Sequence, residues 1–120
     1  MAIFEVWDIV KVPFPHKDRP VRQRCPALVI AAGEIEAAHS LIWLAMITSA
    51  ENRGWPGDVG ISDLGTAGLP APSIVRPAKI ATVDARDAQR LGRLPGADRK
   101  AVAAGLRAIL GAVIGTSERQ

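Results

Sequence analysis

The apolar residues of this chain follow two regimes: short strand-like runs over the first two-thirds, then a helical stripe over the last third. Residues 6–12 alternate in part, with Trp7, Ile9 and Lys11 on one face and Val6, Val10 and Val12 on the other. Pro13 and Pro15 are expected to end this strand, because proline brings no N–H to a ladder. Residues 27–31 (Ala-Leu-Val-Ile-Ala) form a continuous apolar run that predicts a strand buried on both faces. A second such run, 41–47, closes on polar Thr48 and Ser49, and the polar stretch 33–40 between the two suits an antiparallel hairpin. Gly54-Trp55-Pro56-Gly57 predicts a turn and 58–61 a short strand. Gly65, Gly68, Pro70 and Pro72 punctuate a loop, and 73–76 predicts a further strand that 79–83 continues after a turn at Pro77. From residue 97 the spacing becomes helical. Val102, Leu106, Ile109, Leu110 and Val113 share one face of a helix over about 97–113, with Gly96 at its N-cap position.

Strands over about 5–83 followed by one terminal helix predict a mainly β protein, a small curled antiparallel sheet or barrel. At 120 residues the chain suits a single domain, 1–120, with one core. The one cysteine, Cys25, rules out an internal disulfide framework and a cysteine-rich zinc site, and makes a cytoplasmic location the default. Glu5 and Asp8 interrupt the N-terminal apolar run, so no signal-peptide core is expected. The apolar stretch 101–114 is too short to span a bilayer and contains Arg107, so no membrane association is expected.

Charge sharpens the picture locally. The net charge is only +3, but Lys11, Lys17, Arg19, Arg22 and Arg24 face a single acid, Asp18, within 14 residues. A basic loop between apolar strands is a plausible phosphate surface, since Lys and Arg displace counterions from a polyanion; a solvated loop is the plainer alternative. No HExxH, no His/Cys cluster and no dense carboxylate set is present, so no metal or other cofactor is expected.

The order of the segments carries more than their pattern. Trp-Asp-Ile-Val-Lys-Val-Pro-Phe-Pro at 7–15 resembles the first strand of the MazF/PemK toxins, typically a Gly-Asp-Ile-Val run ending in Pro-Phe. The basic loop with Pro26-Ala27-Leu28-Val29-Ile30 resembles their second strand, and Ile47-Thr48-Ser49 the end of their third. Gly57-Asp58-Val59, the stretch 68–76, Ile80-Ala81-Thr82-Val83-Asp84 and Leu91-Gly92-Arg93-Leu94 resemble the later segments in order. The resemblance runs from about Trp7 to Leu110.

What it implies is an SH3-like small antiparallel β-barrel of the CcdB/PemK kind, a homodimer, and a toxin restrained by a cognate antitoxin. It also implies metal-independent endoribonuclease activity on single-stranded RNA, leaving a 2′,3′-cyclic phosphate and a 5′-OH. By position, Thr48 and the adjacent Ser49 match the family's functional hydroxyl. The functional arginine of similar proteins directly precedes the proline of the second strand. Here that position is Cys25, and Arg24 stands one residue earlier. Neighbours in an extended strand face opposite ways, so loop or bulge geometry must swing Arg24, or Arg22, into the site. Cys25 reads as a small apolar filler. Lys17, Arg19, Arg22, Arg53 and Trp55 are the RNA-binding candidates, Trp55 by stacking on a base or else by covering a barrel end. His16 is an acid/base candidate near neutral pH. Arg76 and Lys79 either join a dimer-spanning groove or supply surface charge. Two non-enzymatic alternatives share the fold: a CcdB-like gyrase poison, and a degenerate barrel that keeps antitoxin binding.

Overall fold

The computed structural model describes residues 3–15, 22–52 and 54–115. Six strands, β1 (Asp8–Pro15), β2 (Arg22–Ala31), β3 (Leu41–Ser49), β4 (Val59–Gly60), β5 (Ser73–Asp84) and β6 (Gln89–Arg93), pair antiparallel. Their order, β4-β5-β3-β2-β1-β6, curls into a half-barrel. Helices α1 (Glu34–His39), α2 (Leu64–Ala67) and α3 (Gly96–Ile114) accompany them.

The continuous apolar runs are explained by a sheet covered on both sides. On one face Val10, Val12, Ala27, Val29, Leu44 and Met46 pack with Phe4 and Ile42. On the other Ile9, Leu28, Ala45, Ile47 and Val75 pack with Leu94 and Val102, the latter from α3. Alternation therefore assigns most apolar residues of β1, β2 and β3 to one core or the other; Trp43, at 39% exposure, faces solvent.

Three expectations are corrected. β1 does not stop at its prolines: it pairs with β2 through Pro15. Pairing with β6 ends at Lys11, so beyond it the alternate nitrogens of Pro13 and Pro15 can face an open edge, where no ladder bond is lost. β2 and β3 pair antiparallel as expected, but the connection between them carries the helix α1 rather than being wholly polar: Glu36 is buried and accepts the backbone N–H groups of Ile3 and Phe4 at 2.9 and 3.0 Å. Pro77 does not break the sheet either. Met46 pairs with Arg76 and Ala45 with Ile80, so 77–79 bulge out of one continuous β5. The residue pattern alone also passed over α2 and β6, whose short, glycine-containing segments carry little periodicity.

Trp7 has φ 82°, the left-handed region that favours glycine. It is held there by hydrogen bonds from its N–H to Val29 O and from Leu94 N–H to its carbonyl, while its ring lies 5.6 Å from the Arg99 guanidinium. Directly after it, Asp8 is fully buried, receives Arg90 at 2.7 Å and Arg93 at 3.3 Å, and accepts Glu5 N–H at 2.9 Å. Trp7→Gly is therefore expected to be more stable than Trp7→Ala by about 1 kcal/mol. Both lose the ring, but only alanine keeps a Cβ in a left-handed backbone. Urea midpoints of the two variants check this; the reverse order would remove the strain argument.

α3 begins at Gly96 with Pro95 at the N-cap, and Asp98 in its first turn accepts both the N–H and the hydroxyl of Ser62 at 2.8 and 3.0 Å. Val102 is buried and Leu106 packs against the core, whereas Ile109 and Val113 of the same stripe are exposed. No helix among the described residues is long and apolar enough to cross a membrane.

Candidate functional site

A cleft of about 520 Å³ opens where the ends of β2 and β3 meet β1, β6 and the α2–β5 loop. Lys11, Arg24, Pro26, Ile47 and Ser49 line it, facing a wall formed by residues 68–73 and Leu91. Cys25 and Thr48 border it as well. The wall is held close by two glycines. Gly68, at φ 74°, and Gly92 bring α2 against β6 so tightly that a Cβ on either would collide with backbone atoms of the other element.

Register decides how the candidate side chains meet. Lys11 stands opposite Pro26 and Pro13 opposite Arg24, while Val12 stands opposite Cys25. Ala27 pairs with Met46, so stepping outward by two puts Cys25 and Thr48 on the same side of the sheet. Arg24 follows the other alternation, that of Lys11, Ile47 and Ser49. By parity its natural partner is Ser49 before Thr48. Cys25 packs against the core that contains Val12, in keeping with a small apolar filler.

Arg24 is exposed, and its Nη2 reaches Lys11 O and Gln89 Oε1, each at 3.5 Å. Contacts of that length are at the limit of hydrogen bonding, so an anionic oxygen can displace them readily. Thr48 is half-buried, and its Oγ1 accepts a hydrogen bond from Asn52 Nδ2 at 3.0 Å. Ser49 is exposed and accepts Glu51 N–H at 3.2 Å. Ser73, opposite Ser49 across the β3–β5 ladder, donates to Ala71 O at 2.8 Å and shapes the wall.

Beyond the cleft, Trp55 is 48% exposed, and one face of its ring carries the Arg76 guanidinium 4.1 Å from its centroid. Arg76 is buried rather than a surface charge, and forks onto Asp58 with Nε–Oδ1 and Nη2–Oδ2 at 3.0 Å each. That hydrogen bond, against the opposing effect of burial and aided by the Trp55 and Gly54 amides, holds the Asp58 carboxyl below the usual 3.8. A lowered native value stabilises the clamp fully above the ordinary carboxylate range, and this is lost as pH falls through the lowered value. Tryptophan emission is therefore expected to be flat between about pH 5 and 8 and to change below about pH 3.8. The change should vanish in Asp58→Asn; its persistence there would assign it to another group.

His16, Lys17, Arg19 and Arg53 lie outside the described residues, as does the side chain of Arg22, whose backbone opens β2. Of the sequence candidates, the fold brings Arg24, Thr48 and Ser49 to one cleft. Lys11, part of the basic phosphate surface read from the sequence, joins them there, whereas Asn52, Asp58 and the 68–73 wall carry no such signal. Among the described residues no three His, Cys, Asp or Glu side chains gather as metal ligands would.

A model of the PemK-like, MazF-like toxins of type II toxin-antitoxin systems matches residues 5–110. Among solved structures, MazF from Deinococcus radiodurans is similar with a TM-score of 0.71 and 22% identity, covering 91% of this chain and 97% of that one. A MazE-MazF structure from the same organism is similar at TM-score 0.66 and 22% identity, over 96% and 98%. An endoribonuclease in complex with its cognate antitoxin, from a mycobacterial species, is similar at TM-score 0.68 and 15% identity, over 88% and 93%. At such identities these likenesses are of fold. No curated protein sequence matches significantly.

Proposed function

The chain belongs to the PemK-like, MazF-like toxins of type II toxin-antitoxin systems, and from that premise we propose that it is an endoribonuclease cutting single-stranded RNA without a metal. The observation that carries the reading is the convergence of Arg24, Lys11, Thr48 and Ser49 on one cleft. In the proposed reaction the ribose 2′-OH, giving its proton to solvent water, attacks the adjacent phosphorus and forms the new O2′–P bond. The P–O5′ bond breaks, leaving a 2′,3′-cyclic phosphate and a 5′-OH. The pentavalent intermediate gathers negative charge on its non-bridging oxygens, and the exposed Arg24 fork and the Lys11 ammonium are the groups suited to meet it. The hydroxyls of Thr48 and Ser49 donate to the same oxygens. His16, in the basic loop, is the candidate for proton transfer to the leaving O5′. Lys17, Arg19, Arg22 and Arg53 would track the flanking phosphates, and the open face of Trp55 would stack on a base.

A cognate antitoxin and a homodimer belong to the same proposal, supported by the antitoxin complexes among proteins of similar fold. An acidic, disordered antitoxin segment folding onto the basic loop is the chemistry that this surface favours. The test is purified, antitoxin-free, correctly folded protein incubated with long RNA in the presence of a chelator, with end-group analysis of the products. Cleavage with 5′-OH ends is expected. Intact RNA across varied sequences would leave the second reading, a non-cleaving antitoxin-binding barrel. One observation favours that alternative: Cys25, not Arg24, shares the face of Thr48.

A further inference from the structure

The Arg76 guanidinium stands at the junction of the β3–β4 connection. Arg76, only 8% exposed, forks onto Asp58, donates from Nη2 to the Asn52 carbonyl at 2.8 Å, and lies flat against Trp55. Asp58 in turn accepts the N–H groups of Gly54 and Trp55 at 3.3 and 3.2 Å. Among the described residues of this connection, Asn52, Gly54, Trp55 and Asp58 thus gather around the Arg76 side chain. Arginine that only confers solubility stays in water, and burying it requires partners for its planar fork.

The network does not end at the loop. Asn52, fixed through its carbonyl by Arg76, extends Nδ2 to Thr48 Oγ1 at 3.0 Å. A hydroxyl carries one proton and two lone pairs. With the Asn52 amide donating into a lone pair, the Thr48 proton is left to point elsewhere, and the cleft is what Thr48 borders. An unrestrained threonine would divide its proton among water and nearby carbonyls. The Asn52 amide closes one of those directions and narrows the choice.

We propose that Arg76 and Asn52 are positioning residues: through Asn52 they fix the Thr48 hydroxyl as a donor toward the RNA phosphate, and through the stacked guanidinium they hold Trp55 as a base platform. The proposal rests on the endoribonuclease reading above. It couples two parts of the site that touch different parts of the substrate, the phosphate and a neighbouring base, to one buried cation.

Steady-state cleavage by full-length variants tests it. Asn52 is exposed, so its variants are expected to fold. Asn52→Ala should lower kcat on the order of 10-fold and leave KM within about twofold. Asn52→Asp should fall further, because a carboxylate accepts the proton that the phosphate requires. In a Thr48→Ala background, Asn52→Ala should add nothing, since the group that it orients is gone. Arg76→Lys, which keeps charge but loses the fork, should lower kcat and raise KM together, while Trp55→Leu raises KM alone. Unchanged kcat in Asn52→Ala, full activity in Asn52→Asp, or an undiminished Asn52→Ala effect without Thr48 would each overturn the proposal and leave the endoribonuclease reading standing. A wild-type chain that does not cleave RNA would remove both.

Discussion

Arg24→Ala is expected to slow RNA cleavage by at least roughly 10²-fold, about 2.7 kcal/mol of lost transition-state stabilisation. The size follows from chemistry: a forked cation meeting a doubly charged phosphorane in a partly walled cleft acts where charge develops, not where substrate first docks. Most of the loss should appear in kcat. Arg24→Lys should recover only part of it, because an ammonium lacks the planar pair of donors. Thr48→Ala is expected to lose activity on the same scale, and comparison with Ser49→Ala tests the parity argument. If Arg24 works mainly with Ser49, removal of Ser49 should be the more damaging in the wild type and nearly silent once Arg24 is gone. Single-turnover kinetics on a defined oligonucleotide distinguish these cases. Wild-type rates in Arg24→Ala would withdraw the residue from the site and leave the charge of the intermediate to Lys11 or another cation.

Gly68→Ala should be the most damaging single-methyl substitution for stability. Two penalties coincide there: a left-handed φ of 74° and a Cβ driven into the Leu91 carbonyl, which belongs to the backbone and cannot swing aside. Together they amount to about 3 kcal/mol, on the order of 10 °C in Tm for a chain of this size. Calorimetry checks the number. Gly96→Ala, where a Cβ meets nothing within 4 Å, is the control and should leave Tm nearly unchanged. Equal melting of the two variants would mean that α2 can lift away from β6. The cleft wall would then be looser than its geometry implies.

The strands were legible where hydrophobic patterning is strongest, as in β2 and β3, whose continuous runs match a sheet buried on both faces. They were least legible where a local rule yields to neighbours. Pro13 and Pro15 read as breakers because sequence does not disclose which edge of β1 is open. Glu36 read as part of a polar connection because its partners, the amides of Ile3 and Phe4, lie more than 30 residues away. The same holds in the candidate site. Thr48 and Ser49 were visible by position, but the parity that separates Arg24 from Thr48 depends on the β1–β2–β3 register. Arg76 was visible only as a charge. Its burial depends on Asp58, Asn52 and Trp55, which the bulge at 77–79 and the β4–β5 pairing bring around it.

The buried carboxylate of Asp8 joins residues 82 and 85 positions apart in the chain, drawing β6 onto β1. A growing polypeptide therefore lacks this closure until Arg93 has emerged, and with it the Leu91 side of the cleft and the seat for Gly68. Non-local pairings of this kind form late, because long loops must close before any contact rewards them. A truncated or stalled chain would then carry every residue proposed for chemistry without the shape to use them. For a protein of this family, activity would be withheld by topology until β6 has been made.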